Sequence, residues 1–342
     1  MATNMEKSVV NQSTIRKADP VSLLKKNAML IILVLVYIFF TAMTGGRMFR
    51  PNSFNSLINQ NAYVYIIGCG MLMCMLTGGN IDLSCGAFVC LLGAMGGMMM
   101  VYWGMGTALS IVALLALGVA YGCGLGALIA YVRVPPWIAT LAGYLAFRGL
   151  GTSILGVSST NSISFKDNQD FLNIFSGTLF KTPEGELNWP CMIVGVVGAA
   201  LVVLLIFKNR TTRLKKGYEV DQLGMDVAKC VLGAAAILLV MFKLAMSGGI
   251  PTTLVWVGIV VLFYSFITSK TTIGRHFYVV GGVSASGGAG SVLGMVIGAT
   301  LIGVINLGMF QVNLDANYQR VVKGFVLLAA VVFDILSKKK QS

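Results

Sequence analysis

Ionisable side chains are scarce in this chain of 342 residues. Charged residues make up 11% of it, only 12 residues are acidic, and His276 is the single histidine. A single histidine beside an apolar run provides no Ser-His-Asp or Cys-His set for nucleophilic catalysis. A histidine in this position is typical of a side chain at the membrane interface. The GxxxxGK[ST] pattern of a phosphate-binding loop is also missing. We therefore expect no catalytic residues, no cofactor and no nucleotide site within this chain.

Metal ligands are equally sparse. The seven cysteines lie in or at the edge of apolar segments, and none forms a metal-type pair with the histidine. A free cysteine commonly behaves as a small buried apolar residue. The sequence therefore predicts neither a metal site nor disulfides.

Apolar residues, by contrast, make up 56% of the chain. A soluble protein of this length could not bury so much apolar surface, so the composition predicts a polytopic membrane protein. The net charge of +13 comes from basic residues that flank apolar runs. This is the positive-inside pattern of cytoplasmic segments rather than a nucleic-acid surface. The first basic cluster lies in a polar lead of 27 residues, which predicts a cytoplasmic tail and not a signal peptide.

We predict an all-α fold with about ten membrane segments, because a bilayer core requires about 20 apolar residues per helix. The predicted segments are Ala28–Met43, Ala62–Thr77, Cys85–Trp103, Thr107–Val132, Trp137–Leu155, Pro190–Phe207, Val231–Met246, Thr252–Thr268, a segment ending near Met309, and Val321–Leu336.

The predicted segments form one permease domain, residues 28–337, between cytoplasmic tails at 1–27 and 338–342. With ten crossings both termini lie on the cytoplasmic side, where both are basic. Residues 156–189 have few basic residues and are predicted to be extracytoplasmic, whereas 208–230 form a basic cytoplasmic loop.

Two segments stand out by composition. The fourth is rich in glycine, which allows close approach of helices in lipid, so we expect it to be central. The fifth contains Thr140, Tyr144 and Arg148 and is too polar for a lipid-facing span. We therefore expect it inside the bundle, where Arg148 is a candidate partner of Asp82.

The stretch Leu76–Gly97 contains a carboxylate between two long apolar runs. Asp82 follows Gly78 and Gly79, and a carboxylate at membrane depth costs roughly 2.5–3.5 kcal/mol. Because paired glycines weaken a helix, this stretch predicts two membrane segments that meet at a broken, polar junction, as in transporters and channels. The alternative is a short loop. In either case Asp82 or Ser84 is a candidate cap of the next helix.

Several stretches resemble the membrane permeases of bacterial ABC importers for monosaccharides, in the branch that includes ribose, xylose and multiple-sugar importers. TGGNIDLSCG at Thr77–Gly86 resembles the family's T-G-G-I-D-L-S-x-G, with Asn80 inserted. The other matching stretches are VPPWIATLAGYLAFRGL (Val134–Leu150), TIGRHFYVVGG (Thr272–Gly282), GGVSASGGAGSVLG (Gly281–Gly294) and Tyr318–Ala330.

The resemblance has one departure. In this family a cytoplasmic segment and at least one further membrane helix separate the two glycine-rich motifs, but here Gly281 and Gly282 serve both motifs. A stretch after Gly282 is therefore expected to be missing, and in this transporter type it is the expected docking surface of the ATPase subunit. Either the chain is a deletion variant or residues were lost when the sequence was prepared.

The resemblance implies the function of a translocation subunit in the bacterial inner membrane. Its implied partners are a second copy of the permease, an ATP-binding subunit, a periplasmic sugar-binding protein and membrane lipid. Candidate pathway residues, for which packing or capping is the alternative, are Asn80, Asp82, Thr140, Tyr144, Arg148 and Asn306. Candidate residues for coupling to the ATPase are Gly274, Arg275, Gly281 and Gly282.

Two other functions remain open at this point. An ion-coupled secondary transporter or channel normally carries membrane-embedded carboxylates, for which Asp82 and Asp334 are the candidates. The missing stretch also allows an uncoupled permease that inserts into the membrane without a motor.

Overall fold

A computed structural model describes residues 15–16, 28–158, 162–183, 185–218, 220–280 and 291–326. These residues are mainly helical, which confirms the all-α prediction. The helices are α1 (Ala28–Met43), α2 (Pro51–Leu76), α3 (Cys85–Gly97, continued by a π-helical turn Met98–Tyr102), α4 (Thr107–Ala130), α5 (Pro136–Leu155), α6 (Gln169–Phe175), α7 (Trp189–Lys215), α8 (Leu223–Met246), α9 (Thr252–Lys270), α10 (Thr272–Val280) and α11 (Val292–Gln311).

Strand structure in this part of the chain is limited to two-residue pairs. Strand β1 (Ile15–Arg16) pairs in parallel with β3 (Val220–Asp221), and β2 (Thr178–Leu179) pairs antiparallel with β4 (Ile250–Pro251). A 3-10 helix, Arg47–Phe49, joins α1 to α2.

The first nine predicted membrane segments each coincide with a helix. Eight of the described helices are long and apolar enough to cross a membrane, and α1 is a shorter apolar helix. For the tenth segment, residues 316–326 are helical. Residues 327–336 lie outside the described residues, as do the C-terminal tail and all of the N-terminal tail except β1.

Three helix boundaries differ from the prediction by several residues. Helix α2 begins at Pro51 rather than Ala62, because proline is well tolerated in the first turn and the polar residues that follow it form helix. Helix α7 continues to Lys215 and α8 begins at Leu223, so most of residues 208–230 are helical. Lysine and arginine are good helix formers, and they are stabilising near a helix C-terminus.

The predicted break between the second and third segments is confirmed. Helix α2 ends at Leu76 and α3 begins at Cys85. Gly78 and Gly79 have φ angles of 106° and 76°, a left-handed backbone that glycine adopts without steric cost. Of the two candidate caps, Ser84 is wrong, because its side chain accepts no hydrogen bond from the first turn of α3. Asp82 instead accepts a hydrogen bond from the Ser84 backbone N–H, one residue before the helix begins.

The described residues form two compact units. The first combines the chain up to Leu57 with Thr182–Gly249 and the part from Thr300 onward, and the second combines Ile58–Lys181 with Ile250–Ala299. A buried apolar cluster in the first unit joins α1 to α11. Gly308 allows this packing, since a Cβ there would overlap the ring of Phe40. In the second unit, Ala62 and Tyr65 of α2 pack with Val257 of α9 and Ala299 of α11.

Helices α7 and α8 of the first unit form an antiparallel hairpin. A Cβ at Gly195 would lie 2.8 Å from the Met241 Cβ, so the two helices are in close contact there. The Cys191 thiol lies 3.5 Å from the Met241 carbonyl oxygen and is fully buried. Small residues at this interface allow close helix packing, as is typical in membranes.

The expected positions of α4 and α5 are wrong for the single chain. No residue in the most apolar stretch of α4 is buried, and few are buried in that of α5. In α5 only Thr140 and Gly151 are buried. The glycines of α4 predicted close packing, but a Cβ at Gly118, Gly122 or Gly126 would meet no atom within 4 Å.

Candidate functional site

Asp82 is the centre of a hydrogen-bond network at the break between α2 and α3. Its Oδ1 accepts a hydrogen bond from the Ser84 backbone N–H at 2.8 Å and another from the Ser84 hydroxyl. The carboxylate therefore stabilises the irregular backbone before α3 rather than the first turn of the helix. The Asn80 side-chain amide donates to the Thr77 carbonyl oxygen at 3.1 Å and stabilises the preceding turn.

Tyr121 of α4 extends this network across the second unit. Its hydroxyl is within hydrogen-bond distance of the Ser84 hydroxyl. Because the single Ser84 hydroxyl proton is donated to Asp82, Tyr121 is the donor in this contact. The Tyr121 ring packs in a cluster with two phenylalanines, with centroid distances of 4.4 Å to Phe88 and 4.7 Å to Phe147.

Gly143 of α5 makes room for the contact between Ser84 and Tyr121. A Cβ at this position would lie 2.9 Å from the Tyr121 hydroxyl oxygen and 3.1 Å from the Ser84 Cβ. These distances are too short for a relaxed structure. The hydrogen bond between Ser84 and Tyr121 therefore requires a residue without a side chain at position 143.

A cavity of about 620 Å³ lies beside this network, wholly within the second unit. Most of its wall is apolar, with polar groups concentrated at the junction. The lining residues are Ile67, Gly70, Met71, Cys74, Thr77, Asn80, Asp82, Cys85, Phe88, Val89, Gly118, Tyr121, Gly122, Leu125, Gly126, Ile129 and Tyr264. A concave, mainly apolar site with a few converging polar groups is the usual form of a small-molecule site.

Two of the predicted pathway residues, Asn80 and Asp82, line this cavity. Thr140 is not among its lining residues. It is buried, and its hydroxyl donates to the Pro136 carbonyl oxygen of the preceding helical turn at 2.8 Å. The same hydroxyl lies 3.5 Å from the Ile81 carbonyl oxygen, so Thr140 also contacts the backbone of the junction.

Tyr144 and Arg148 form a polar stripe on the exposed side of α5. The Arg148 guanidinium donates to the Tyr144 hydroxyl at 2.9 Å, and the Thr152 hydroxyl donates to the Arg148 carbonyl oxygen. Both Arg148 and Thr152 are exposed. Arg148 was a candidate ion-pair partner of Asp82. This prediction is wrong, since the ion pairs of the described residues do not include it.

Asn306 of α11 belongs to the first unit, so it does not line the cavity of the second. Its side-chain oxygen is buried and has no hydrogen-bond partner among the described residues. The amide is half-buried within an otherwise apolar helix.

Gly274 and Arg275, two of the predicted coupling residues, lie on the short amphipathic helix α10. A Cβ at Gly274 would lie 2.6 Å from the Thr268 carbonyl oxygen and 2.7 Å from the Thr268 Cα, so α10 is packed directly against the end of α9. Arg275 is exposed. Gly281 and Gly282, the pair at which the missing stretch is inferred, lie outside the described residues.

Sequence reasoning named Ser84 only as a candidate cap, and it missed the contributions of Tyr121 and Gly143. A signal for Tyr121 was available, because it is the one aromatic hydroxyl in α4 and shares a helix face with Gly118, Gly122 and Leu125. Gly143 had no such signal, because its role depends on residues from two other helices.

Residues 53–331 match a protein-family model described as the branched-chain amino acid transport system / permease component. The chain belongs to this family. It is a multi-pass membrane protein, and the predicted resemblance to permeases of the ribose/xylose type is confirmed by individual relatives.

A xylose transport system permease protein of Haemophilus influenzae is 28% identical over 377 residues, which cover 91% of this chain and 96% of that protein. A ribose import permease protein of Escherichia coli is 29% identical, with 93% and 95% covered. A fructose import permease protein of Rhizobium meliloti is 29% identical, with 89% and 84% covered. No solved structure matches the chain.

Proposed function

We propose that the chain is the translocation subunit of an ATP-driven importer for a monosaccharide. The observation that carries the proposal is similarity over about nine tenths of both chains to permeases whose names specify xylose and ribose transport. Membership of a transport-permease family agrees with it.

The chemistry of the cavity favours a neutral polyhydroxylated solute. Asp82 and Asn80 offer oxygen acceptors and an amide donor for hydroxyl groups, and Phe88 offers an aromatic face for apolar sugar C–H groups. The volume, about 620 Å³, lies within the usual range for small-molecule sites. We propose that this cavity is part of the sugar pathway.

An amino acid is the second candidate solute, because the family description names branched-chain amino acids. A free amino acid carries a carboxylate, which normally requires a cation or a set of amide donors. None of the described side chains that line this cavity is cationic. We therefore favour the sugar.

A second copy of the permease accounts for the polar stripe on α5. An arginine exposed at membrane depth costs roughly 2.5–3.5 kcal/mol unless protein or water covers it. Arg148 is exposed in the single chain, on a helix that is otherwise apolar enough to span the membrane. We propose a homodimer in which this face of α5 is turned toward the partner and the aqueous pathway.

The remaining partners are an ATP-binding subunit and a periplasmic sugar-binding protein. We propose that α10, with Gly274 and exposed Arg275, transmits the motion of the ATP-binding subunit to α9. On the predicted outer side, Arg47 and Arg50 line a cavity of about 610 Å³ in the first unit and are suited to acidic groups of the binding protein.

The main alternative to a coupled transporter is an uncoupled permease, which the missing stretch would explain. The alignment with the Haemophilus protein extends over 377 residues, more than the 342 of this chain, so it includes positions at which this chain has no residue. Loss of the docking surface would leave an uncoupled permease.

The deciding experiment is co-purification of the full chain in detergent with its proposed ATPase subunit and its proposed sugar-binding protein. We expect a stable complex whose ATP hydrolysis is stimulated by a pentose or hexose together with the binding protein. A well-folded dimer that does not bind the ATPase would indicate the uncoupled permease. Solute uptake driven by an ion gradient, without the ATPase, would indicate a secondary transporter.

A further inference from the structure

Asp82 is the only charged side chain among the described residues that line the cavity of the second unit. Both hydrogen bonds that it accepts, from the backbone N–H and the hydroxyl of Ser84, reach the same oxygen, Oδ1. The other oxygen, Oδ2, accepts no hydrogen bond from the described residues. The ion pairs of these residues are made by Asp226, so no described cation offsets the charge of Asp82. The described wall of the cavity is therefore negatively charged.

The negative charge lies at membrane depth. The Ser84 hydroxyl contacts the Tyr121 hydroxyl, and Tyr121 precedes the end of α4 at Ala130 by nine residues. Nine residues of helix span about 14 Å, so the junction lies inside the bilayer rather than at its surface. The lining continues along α4 to Ile129, toward the predicted cytoplasmic side. At this depth charges interact more strongly than in bulk water.

We propose that Asp82 makes this cavity a charge filter, which admits neutral sugars and excludes anionic ones. The inference rests on the proposed sugar pathway for the identity of the solute. Two negative charges about 6 Å apart, in an effective dielectric constant of about 20, disfavour binding roughly 100-fold. Uronic acids and sugar phosphates carry such a charge on a ring that otherwise resembles a neutral sugar. On the predicted cytoplasmic side, the filter opposes the loss of sugars that become phosphorylated after import.

Two native cysteines can report the charge of the cavity directly. Cys74 and Cys85 line it, and neither is fully buried. The Cys85 thiol lies 3.4 Å from the Asp82 carbonyl oxygen, so it is next to the proposed filter. A methanethiosulfonate transfers its thioalkyl group to a thiolate, with methanesulfinate as the leaving group, and forms a mixed disulfide. Reagents of similar size that end in a sulfonate, a hydroxyl or a trimethylammonium group differ mainly in charge.

The test uses the full chain in a neutral detergent, in a background without the exposed Cys90 and Cys123. The labelling rates of Cys85 and Cys74 with the three reagents are measured by peptide mass spectrometry. Each rate is divided by the rate for a free thiol in the same buffer. Water in the cavity screens part of the repulsion, so we expect the anionic reagent to react roughly tenfold more slowly than the neutral one. The cationic reagent should react fastest.

Asp82→Asn removes the charge and keeps an acceptor oxygen. In this variant we expect the rate for the anionic reagent to come within about threefold of the rate for the neutral one. Any effect of Asp82 on the thiol itself is common to the three reagents and cancels in this ratio. Asp167→Asn is the matched control, because it removes an equal charge from an exposed loop residue outside the cavity lining. It should leave the ratio unchanged.

Three results would overturn the filter. Equal rates for the anionic and neutral reagents in the unaltered chain would show that the cavity does not select by charge. A ratio that Asp82→Asn does not change, or that Asp167→Asn changes equally, would show that Asp82 is not the cause. No reaction at either cysteine with any reagent would show that water-soluble molecules do not enter the cavity.

Protection of Cys85 tests the identity of the solute separately. We expect a neutral pentose or hexose to slow its labelling by the neutral reagent, and a uronic acid at the same concentration to have no effect. Charge selectivity without protection by any neutral sugar would support the filter and overturn the sugar pathway. Equal protection by the neutral sugar and the uronic acid would support the pathway and overturn the filter.

Discussion

Asp82 stabilises irregular backbone by accepting two hydrogen bonds from Ser84, whose side chain is fully buried. An asparagine side chain offers the same acceptor oxygen, whereas leucine offers none. We expect Asp82→Asn to melt within a few degrees of the unaltered protein in detergent. Asp82→Leu is expected to lose about 1–3 kcal/mol of stability, because it leaves buried donors without an acceptor.

The control for this pair is Asp167→Leu, which changes an exposed carboxylate in a loop and should be neutral. Uptake measured beside thermal unfolding separates the two roles of Asp82. If Asp82→Asn is stable but transports poorly, the charge itself acts on the solute. Equal stability of the asparagine and leucine variants would show that the junction does not depend on this acceptor.

Gly143 is the residue whose substitution tests the contact between Ser84 and Tyr121. In Gly143→Ala the new methyl group would lie 2.9 Å from the Tyr121 hydroxyl oxygen, so that hydroxyl must move. A tyrosine end can shift with little effect on the fold. We therefore expect nearly normal melting but sugar uptake reduced by roughly two- to tenfold, the equivalent of one hydrogen bond.

Gly149→Ala is the matched control on the same helix, because a Cβ there would meet no atom within 4 Å. It should leave both melting and uptake unchanged. Equal loss of uptake in the two variants would mean that α5 is sensitive to any alanine and that the network is not specifically involved.

At the scale of elements, the contact between α9 and α10 leaves no room for a side chain at Gly274. Gly274 is packed against backbone atoms of the α9 end, and backbone cannot move aside as a side chain does. We expect Gly274→Ala to shift α10 from its place at a cost of about 1–3 kcal/mol. ATPase co-purification is expected to fall with it, if α10 transmits the coupling.

Gly258→Ala, in the middle of α9, is the comparison, because a Cβ there has open space around it. This variant should bind the ATPase normally. A Gly274→Ala protein that retains full ATPase binding and sugar-stimulated hydrolysis would contradict a coupling role for α10.

At the scale of the whole molecule, the proposed homodimer predicts which exposed surface meets a second copy. Thr152 lies on the polar stripe of α5, and Leu204 lies on the apolar flank of α7. In a background without the exposed Cys90 and Cys123, we expect Thr152→Cys to cross-link into a dimer in native membranes. Leu204→Cys should remain monomeric on the same gel, because lipid surrounds it. Cross-linking of both variants to the same extent would indicate collision rather than assembly.

Local sequence was sufficient for the features set within one segment. The apolar runs determined the class of protein and placed nine spans on helices, because burial in lipid depends on about 20 consecutive side chains. Gly78 and Gly79 indicated the break before Asp82, because their backbone freedom is intrinsic. The quoted motifs indicated the family for the same reason, since each is a contiguous stretch.

Tertiary structure decided the features that depend on which helices pack together. Ser84 and Tyr121 are 37 positions apart, and only the packing of α3, α4 and α5 brings their hydroxyls together beside Gly143. Thr140 and Asp82 are both predicted pathway residues, and the packing of the helices places Asp82 at the cavity and Thr140 outside its lining. The glycines of α4 predicted close contact, but whether a small residue is covered depends on a neighbouring helix. That neighbour is not encoded in the segment itself.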